Sequence, residues 1–320
     1  MSVINNRIDW VDYAKGIGII LVVYGHVLRG VFEAGLDIST QLFVYEDSFI
    51  YSFHMPLFFF LSGLFANHML KHTFSHVLKN KARTMLYPYF LWSIIQGGIM
   101  FFLSAYTNGS TTLADIVKIP IEPIAQFWFL YVLFLISILY FVLRSKLASN
   151  IVIVISFVLL CIAPLLNFWV LVPLGQNFFF FVLGSVMNKD KLGSLLTKKI
   201  NFIAIPIYIL INIILIESIG DKWAHHFLWS TAAVCGIYLV LFITINLKKK
   251  HHFLQYIGQN SIIIFVAHIL AASGTRIFLL KVLGIDSVLI HLIAGTAAGI
   301  LLPVLLFKIC KKIKIIKYIL

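Results

Sequence analysis

Apolar residues in this chain gather into ten runs, at about 14–34, 49–67, 86–105, 126–143, 151–167, 172–188, 201–217, 228–247, 257–273 and 288–308. Most approach the roughly 20 residues that an α-helix needs to cross the hydrocarbon core of a bilayer. They are continuous and do not alternate over about 10 residues, so the strands of a membrane β-barrel are not indicated. The fifth and sixth runs are short and are separated only by the stretch from Pro164 to Pro173. Turn and breaker residues lie between runs, as at Asn108-Gly109-Ser110, at Pro120 with Pro123, and from Asn188 to Gly193. No internal repeat and no long linker interrupts the pattern. The expectation is an all-α polytopic membrane protein with about ten transmembrane helices. Residues 1–320 form a single transmembrane domain on this reading, with no appended soluble domain.

Composition strengthens the expectation. Of the 320 residues, 61% are hydrophobic and 12% are charged, with a mean hydropathy of +1.00. A soluble domain carries about 45–50% apolar and about 25% charged residues. A chain with so little polar surface cannot cover a water-soluble globule, which excludes the soluble enzymes. Cys161, Cys235 and Cys310 are far apart and form no CxxC, so neither a disulfide framework nor a zinc site is indicated. The N-terminus lacks a signal-peptide plan, because Arg7, Asp9, Asp12 and Lys15 precede the first run and no small-residue cleavage site follows it.

The net charge of +13 would suit nucleic acid, but the basic residues sit in clusters between the runs. Taking the N-terminus, the even loops and the C-terminus as one side, 20 of the 25 Lys and Arg fall there. Only Arg29, Lys118, Lys222, Arg276 and Lys281 fall on the other side. The acidic residues split the opposite way, 3 against 9. This alternation places both termini in the cytoplasm and makes nucleic acid an unneeded partner.

The segment from Asp12 to His26 is the most informative. At 100° per residue Lys15 and His26 lie about 20° apart around a helix, and Asp12 falls about 40° to the other side of His26. The three share one face. Along the axis, Lys15 and His26 are separated by about 16 Å. Lys15 then sits near the cytoplasmic interface, and His26 at or beyond the middle of the membrane. Polar residues at that depth are costly and face the bundle interior. Gly16, Gly18 and Gly25 clear space around the face for another backbone or a ligand. On the residues alone, Asp12 and Lys15 could equally form an i,i+3 pair, and His26 could bond a neighbouring helix.

Here the sequence resembles the bacterial acyltransferase family 3. These are integral-membrane O-acyltransferases of cell-surface glycans, and they include fucose 4-O-acetylase-like and polysaccharide O-acetyltransferases. A basic residue, ten residues and then His mark the family's first helix, and Lys15 and His26 match in Asp12-x-x-Lys15-Gly16-Ile17 and Val22-Val23-x-Gly25-His26. A second block is Phe53-His54-Met-Pro56 through Ser62-Gly63. Further blocks are Lys81-x-Arg83 with Tyr87-Pro88-Tyr89, Trp128-Phe-Leu, and Gly258-x-Asn260-Ser261 leading to His268. The resemblance runs the length of the chain in family order.

It implies a multi-pass protein of the inner (plasma) membrane that moves acetyl from acetyl-CoA to a hydroxyl of a cell-surface or lipid-linked glycan. His26 is then the catalytic base or the acyl carrier, since an attacking hydroxyl must lose its proton and imidazole titrates near the operating pH. Asp12 joins it as a catalytic candidate, to orient Lys15 or lie near the thioester. Lys15 and Arg83 are the candidate contacts to the CoA phosphates. Arg83 read by itself is as well explained by topological anchoring. His54, Ser62, Trp128, Asn260 and His268 are candidate acceptor-site residues. Acetyl-CoA is the donor substrate; no bound cofactor or metal is expected, because no HxxxH or matched carboxylate or thiol joins the histidines. Membrane lipid and the surface polysaccharide or lipid-linked sugar are the remaining partners, with self-association left open. Pro56 is expected to kink the second helix. Phe178 to Phe181 are expected to face lipid or to pack. The alternative class is a multi-helix transporter or flippase of a small anionic solute or lipid-linked sugar.

Overall fold

The computed structural model describes residues 8–104, 111–187, 192, 196, 202–218, 220–247 and 251–312. The loop turn at Asn108-Gly109-Ser110, most of Asn188 to Gly193 and several basic clusters, including Lys248 to Lys250, lie outside the described residues. Among the described residues every regular element is helical. Helix α1 spans Asp9–Glu33, with Asp9 and Asp12 in its first turn, where carboxylates suit the positive helix end. It stops at Ala34, and Gly35 turns the chain away with φ of 73°.

The second run is two helices, α2 (Thr40–Tyr51) and α3 (His54–Gly63). The expected kink is a break at Ser52–Phe53, and Pro56 sits in the first turn of α3, where its missing N–H costs nothing. Helix α4 (Phe74–Lys81) passes through a π-helical turn at Ala82–Leu86 into α5 (Tyr87–Phe102). A short α6 (Leu113–Val117) begins at a Thr112–Asp115 capping box, whose hydrogen bonds hold the Asp115 carboxyl below the usual carboxylate range. Then follow α7 (Trp128–Arg144), α8 (Ser149–Ile162), α9 (Leu171–Val186), α10 (Ala204–Glu217) and α11 (Lys222–Ile245). The chain closes with α12 (His252–Gln259), α13 (Ser261–Ile277) continuing as a π-helical turn Phe278–Val282, and α14 (Val288–Lys312).

Among the described residues, seven helical stretches are long and apolar enough to cross a membrane, and three shorter apolar helices cover 149–165, 171–186 and 204–217. The protein is thus an all-helical, multi-pass membrane protein. Each apolar run falls on one of these ten stretches, but several boundaries move, two of them at candidate site residues. The second begins at Thr40 rather than near residue 49, so His54 opens α3 instead of lying a turn inside a helix. The ninth begins at Ser261, because 252–259 is a separate amphipathic helix.

Polarity runs outside-in, as lipid requires. Large apolar side chains such as Phe102, Phe157 and Phe227 are exposed, whereas His54, Gln96, Gln126, Asn177 and His268 are buried. Phe178, Phe180 and Phe181 are buried too, so this stretch packs inside the bundle and does not face lipid. Helix α1 is the hub, touching α2, α3, α11, α12, α13 and α14. Three glycines let backbones meet. A Cβ on Gly63 would lie 1.9 Å from the Phe181 carbonyl oxygen, and one on Gly184 would lie 2.1 Å from that of Phe60, so α3 and α9 touch without side chains between them. Gly258 meets the Asp12 carbonyl in the same way, which seats α12 on the first turns of α1.

Candidate active site

Because α1 is central, residues on its inward face line the spaces between helices. His26 is half-buried on the wall of a cavity of about 680 Å³. Two rings meet it. His268 from α13 has its centroid 5.1 Å away, and Tyr51 from the end of α2 stands edge-on at 6.1 Å. Tyr51 in turn meets His54 at 4.6 Å with perpendicular planes. Gly25 makes room for the Tyr51 ring, which a Cβ there would approach to 3.0 Å.

Two of the histidines are held by the backbone. His54 Nδ1 is 2.7 Å from the Ile50 carbonyl oxygen, and His268 Nδ1 is 2.7 Å from that of Phe265. A carbonyl can only accept, so Nδ1 carries the hydrogen in both rings and Nε2 is left as an acceptor. His268 is fully buried, and among the described residues its Nε2 has no hydrogen-bond partner. A buried acceptor left unpaired is costly and calls for an explanation.

Charge and amide groups complete the cavity. The Arg29 guanidinium grips Asp47 through two bonds of 2.6 and 2.9 Å and lies 3.2 Å over the Tyr51 ring. Arg276 Nη1 donates to the Gly30 carbonyl. Gln96 and Gln126 bond each other reciprocally at 3.2 and 2.9 Å. Gln126 follows Ala125, whose φ of 47° lies in the left-handed region that alanine rarely adopts. Trp128 lies on the same wall.

A second, smaller cavity of about 180 Å³ contains Lys15, Ser62, Thr84 and Met85. The Lys15 ammonium lies 5.9 Å from the centre of the Phe65 ring. Arg83 is exposed on the π-helical turn directly before Thr84 and Met85. Phe265 lines both cavities. Phe129 meets it edge-on at 5.3 Å, and Phe58 meets Phe129 at 6.0 Å. An aromatic wall therefore separates the Lys15 chamber from the His26 chamber.

The structure thus brings together His26, His54, His268 and Trp128 in one place, and Lys15, Ser62 and the Arg83 turn in another. Asp12 joins neither. It is buried against α12, where Gln259 Nε2 donates to its Oδ2 at 3.0 Å. It stands 14 residues, or about 21 Å of helix, from His26. Shared helix face did not mean shared site, because different neighbours cover different turns of α1. Asn260 lines neither cavity and donates to the Tyr256 carbonyl at the junction of α12 and α13. Sequence reading missed Tyr51, Gln96, Gln126 and Phe265, and counted Arg29 only in the charge balance of the two sides. Arg29 had a signal, being three residues after His26 and so on its face; the others had none. Among the described residues no group of three His, Cys, Asp or Glu side chains is arranged to hold a metal ion.

Comparison with known proteins supplies the family. The family model described as "Acyltransferase domain" matches residues 8–308. The nodulation protein NolL of Sinorhizobium fredii (strain NBRC 101917 / NGR234) is 35% identical over 173 residues, covering 51% of this chain and 46% of the relative. Its counterpart in Mesorhizobium japonicum (strain LMG 29417 / CECT 9101 / MAFF 303099) is 33% identical over 177 residues, covering 51% and 45%. The chain spans about half the length of the curated relatives it matches. No solved structure matches it. With a domain match across nearly its whole length, and the Lys15–His26 pair on an inward helix face, the chain belongs to acyltransferase family 3.

Proposed function

We propose that the protein is a membrane O-acetyltransferase that moves acetyl from acetyl-CoA to a hydroxyl of a cell-surface or lipid-linked glycan. The observation that carries this reading is the placement of His26 on the wall of the 680 Å³ cavity, beside two imidazoles whose tautomers the backbone fixes. Ten helices cross the inner membrane with both termini in the cytoplasm. The donor enters the Lys15 chamber from the cytoplasmic side, where Lys15 and Arg83 meet its phosphates. Its extended arm carries the thioester past Phe265 toward His26, a run of about 16 Å along α1. The acceptor hydroxyl occupies the His26 chamber. Neutral His26 takes the hydroxyl proton as the oxygen attacks the thioester carbonyl carbon. The carbon–sulfur bond breaks, the thiolate leaves, and the proton passes from His26 to sulfur. His268 Nε2 accepts from the N–H of His26 and so keeps the other ring nitrogen free as the base.

The test is label transfer in washed membranes. Radiolabelled acetyl-CoA is supplied to membranes holding the wild type, His26→Ala or no protein, together with the glycan of the source cell. The expected result is base-labile label in the glycan that falls at least about 100-fold in His26→Ala. Equal label in all three, with both proteins present in the membrane, overturns the reading. Movement of a solute across vesicles without acetyl-CoA would then favour a transporter.

A further inference from the structure

The His26 chamber does not end at Tyr51 and Trp128. A further cavity of about 640 Å³ adjoins it and shares Tyr51, Met55 and Trp128 as a common wall. Beyond that wall it is lined by Gln176, Asn177, His226 and Trp229, from α9 and α11. These side chains are organised. His226 Nε2 lies 2.8 Å from the Leu160 carbonyl oxygen and donates to it, which leaves Nδ1 as an acceptor; Gln176 Nε2 is 3.5 Å from that Nδ1. The His226 and Trp229 rings stack with planes 23° apart. Asn177 is 3% exposed. Its Nδ2 donates to the Pro173 carbonyl, and among the described residues its Oδ1 has no partner.

Flat rings beside amides and an unpaired buried acceptor suit one class of ligand. A sugar ring offers apolar C–H faces to aromatic rings and hydroxyl donors to buried oxygens. Among the described residues no carboxylate lines this cavity, and Lys222 is the one lysine or arginine on it, so a bound group has little net charge to meet. An acyl chain would satisfy the rings but would leave Asn177 Oδ1 unpaired.

We propose that this second lobe is a saccharide subsite that holds the next sugar of the acceptor, so the protein acts on an oligosaccharide or longer glycan and discriminates against a single sugar. The inference rests on the acetyltransferase reading. On that reading the two lobes form one cleft, with the reacting hydroxyl at His26 and the neighbouring sugar between Trp128 and Trp229.

The experiment uses the full chain in washed membranes. The glycan labelled by the wild type is deacetylated, cut, and sized into single sugars, disaccharides and longer fragments. Each fraction is returned as acceptor to membranes holding the wild type, Trp229→Ala or Asn177→Leu. The wild type is expected to show a lower KM for disaccharides and longer fragments than for single sugars. Both variants are expected to raise the KM for the longer acceptors about tenfold, leaving the KM for single sugars and for acetyl-CoA unchanged. Should Trp229→Ala fail to accumulate because Trp229 also packs on Phe180, Asn177→Leu and Trp229→Phe decide. Equal KM for all lengths in the wild type overturns the proposal. So does a change in the variants that is the same for single sugars and longer fragments, or that follows the lipid composition of the membrane instead of glycan length. A wild type that labels no glycan at all removes the acetyltransferase reading itself, a different outcome from either.

Discussion

The His268 ring stands with its centroid 5.1 Å from that of His26 and its plane tilted by 47°. Its Nδ1 is committed to the Phe265 carbonyl and its buried Nε2 is unpaired among the described residues, so the nearest useful partner for Nε2 is the imidazole it faces. A Gln at this position keeps an acceptor near the place of Nε2; a Leu does not. His268→Leu is expected to lower kcat about 100-fold with little change in the KM of either substrate, as misplacing a base does. His268→Gln is expected to recover a large part of that loss. Steady-state kinetics in membranes, with protein level read by immunoblot, distinguish this from misfolding. Equal activity of the two variants would remove the positioning role.

Among the described residues, Phe265 is the one shared by the Lys15 and His26 chambers. Trimming it to Ala should merge them. The expected outcome is acceptance of propionyl- and butyryl-CoA that the wild type transfers poorly, with faster hydrolysis of acetyl-CoA when no glycan is present. Phe265→Trp should slow transfer of every donor. Measuring free CoA release with and without acceptor, across the donor series, checks both.

Arg29 holds Asp47 through two parallel bonds and covers the Tyr51 ring, which packs against His54. A lysine has one point charge and no flat face, so it cannot reproduce both contacts. Arg29→Lys is expected to lower kcat/KM for the acceptor about tenfold, or about 1.4 kcal/mol. The donor KM should stay as it is, since Arg29 lines the His26 chamber and not the Lys15 chamber. Asp47→Asn, which keeps the shape and one acceptor, should cost less.

Gly63 and Gly184 let α3 and α9 meet backbone to backbone. A Cβ at Gly63 would lie 1.9 Å from the Phe181 carbonyl oxygen, and no rotamer change relieves a clash with backbone. Gly63→Val is expected to destabilise the bundle by about 3 kcal/mol. In detergent this should appear as a lower temperature of aggregation by size-exclusion chromatography. Gly98→Ala on α5, where nothing lies within 4 Å of the added Cβ, should behave as the wild type.

Some of the site was legible before the fold. Lys15 and His26 were found because spacing along a helix is arithmetic, and His54 because a membrane-depth imidazole is unusual. Asp12 was drawn in by the same arithmetic, to orient Lys15 or lie near the thioester; the structure sets it against Gln259 and on neither chamber, and helical wheel position says nothing about axial neighbours on other helices. Gln96 and Gln126 lie 30 residues apart in different runs, and neither carries a local signal that the other is its partner.

The helical class, the multi-pass character and the positions of the apolar segments were determined by sequence alone. Whether a segment suits lipid depends on its own composition and length, which are local quantities. The tertiary structure alone decided that the second segment breaks at Ser52–Phe53, that Phe265 parts two chambers, and that Tyr51, His54 and His268 gather around His26. Those relations are set by how helices distant in the chain pack, through glycine contacts and ring-against-ring fits, and no single segment contains the information about its neighbours.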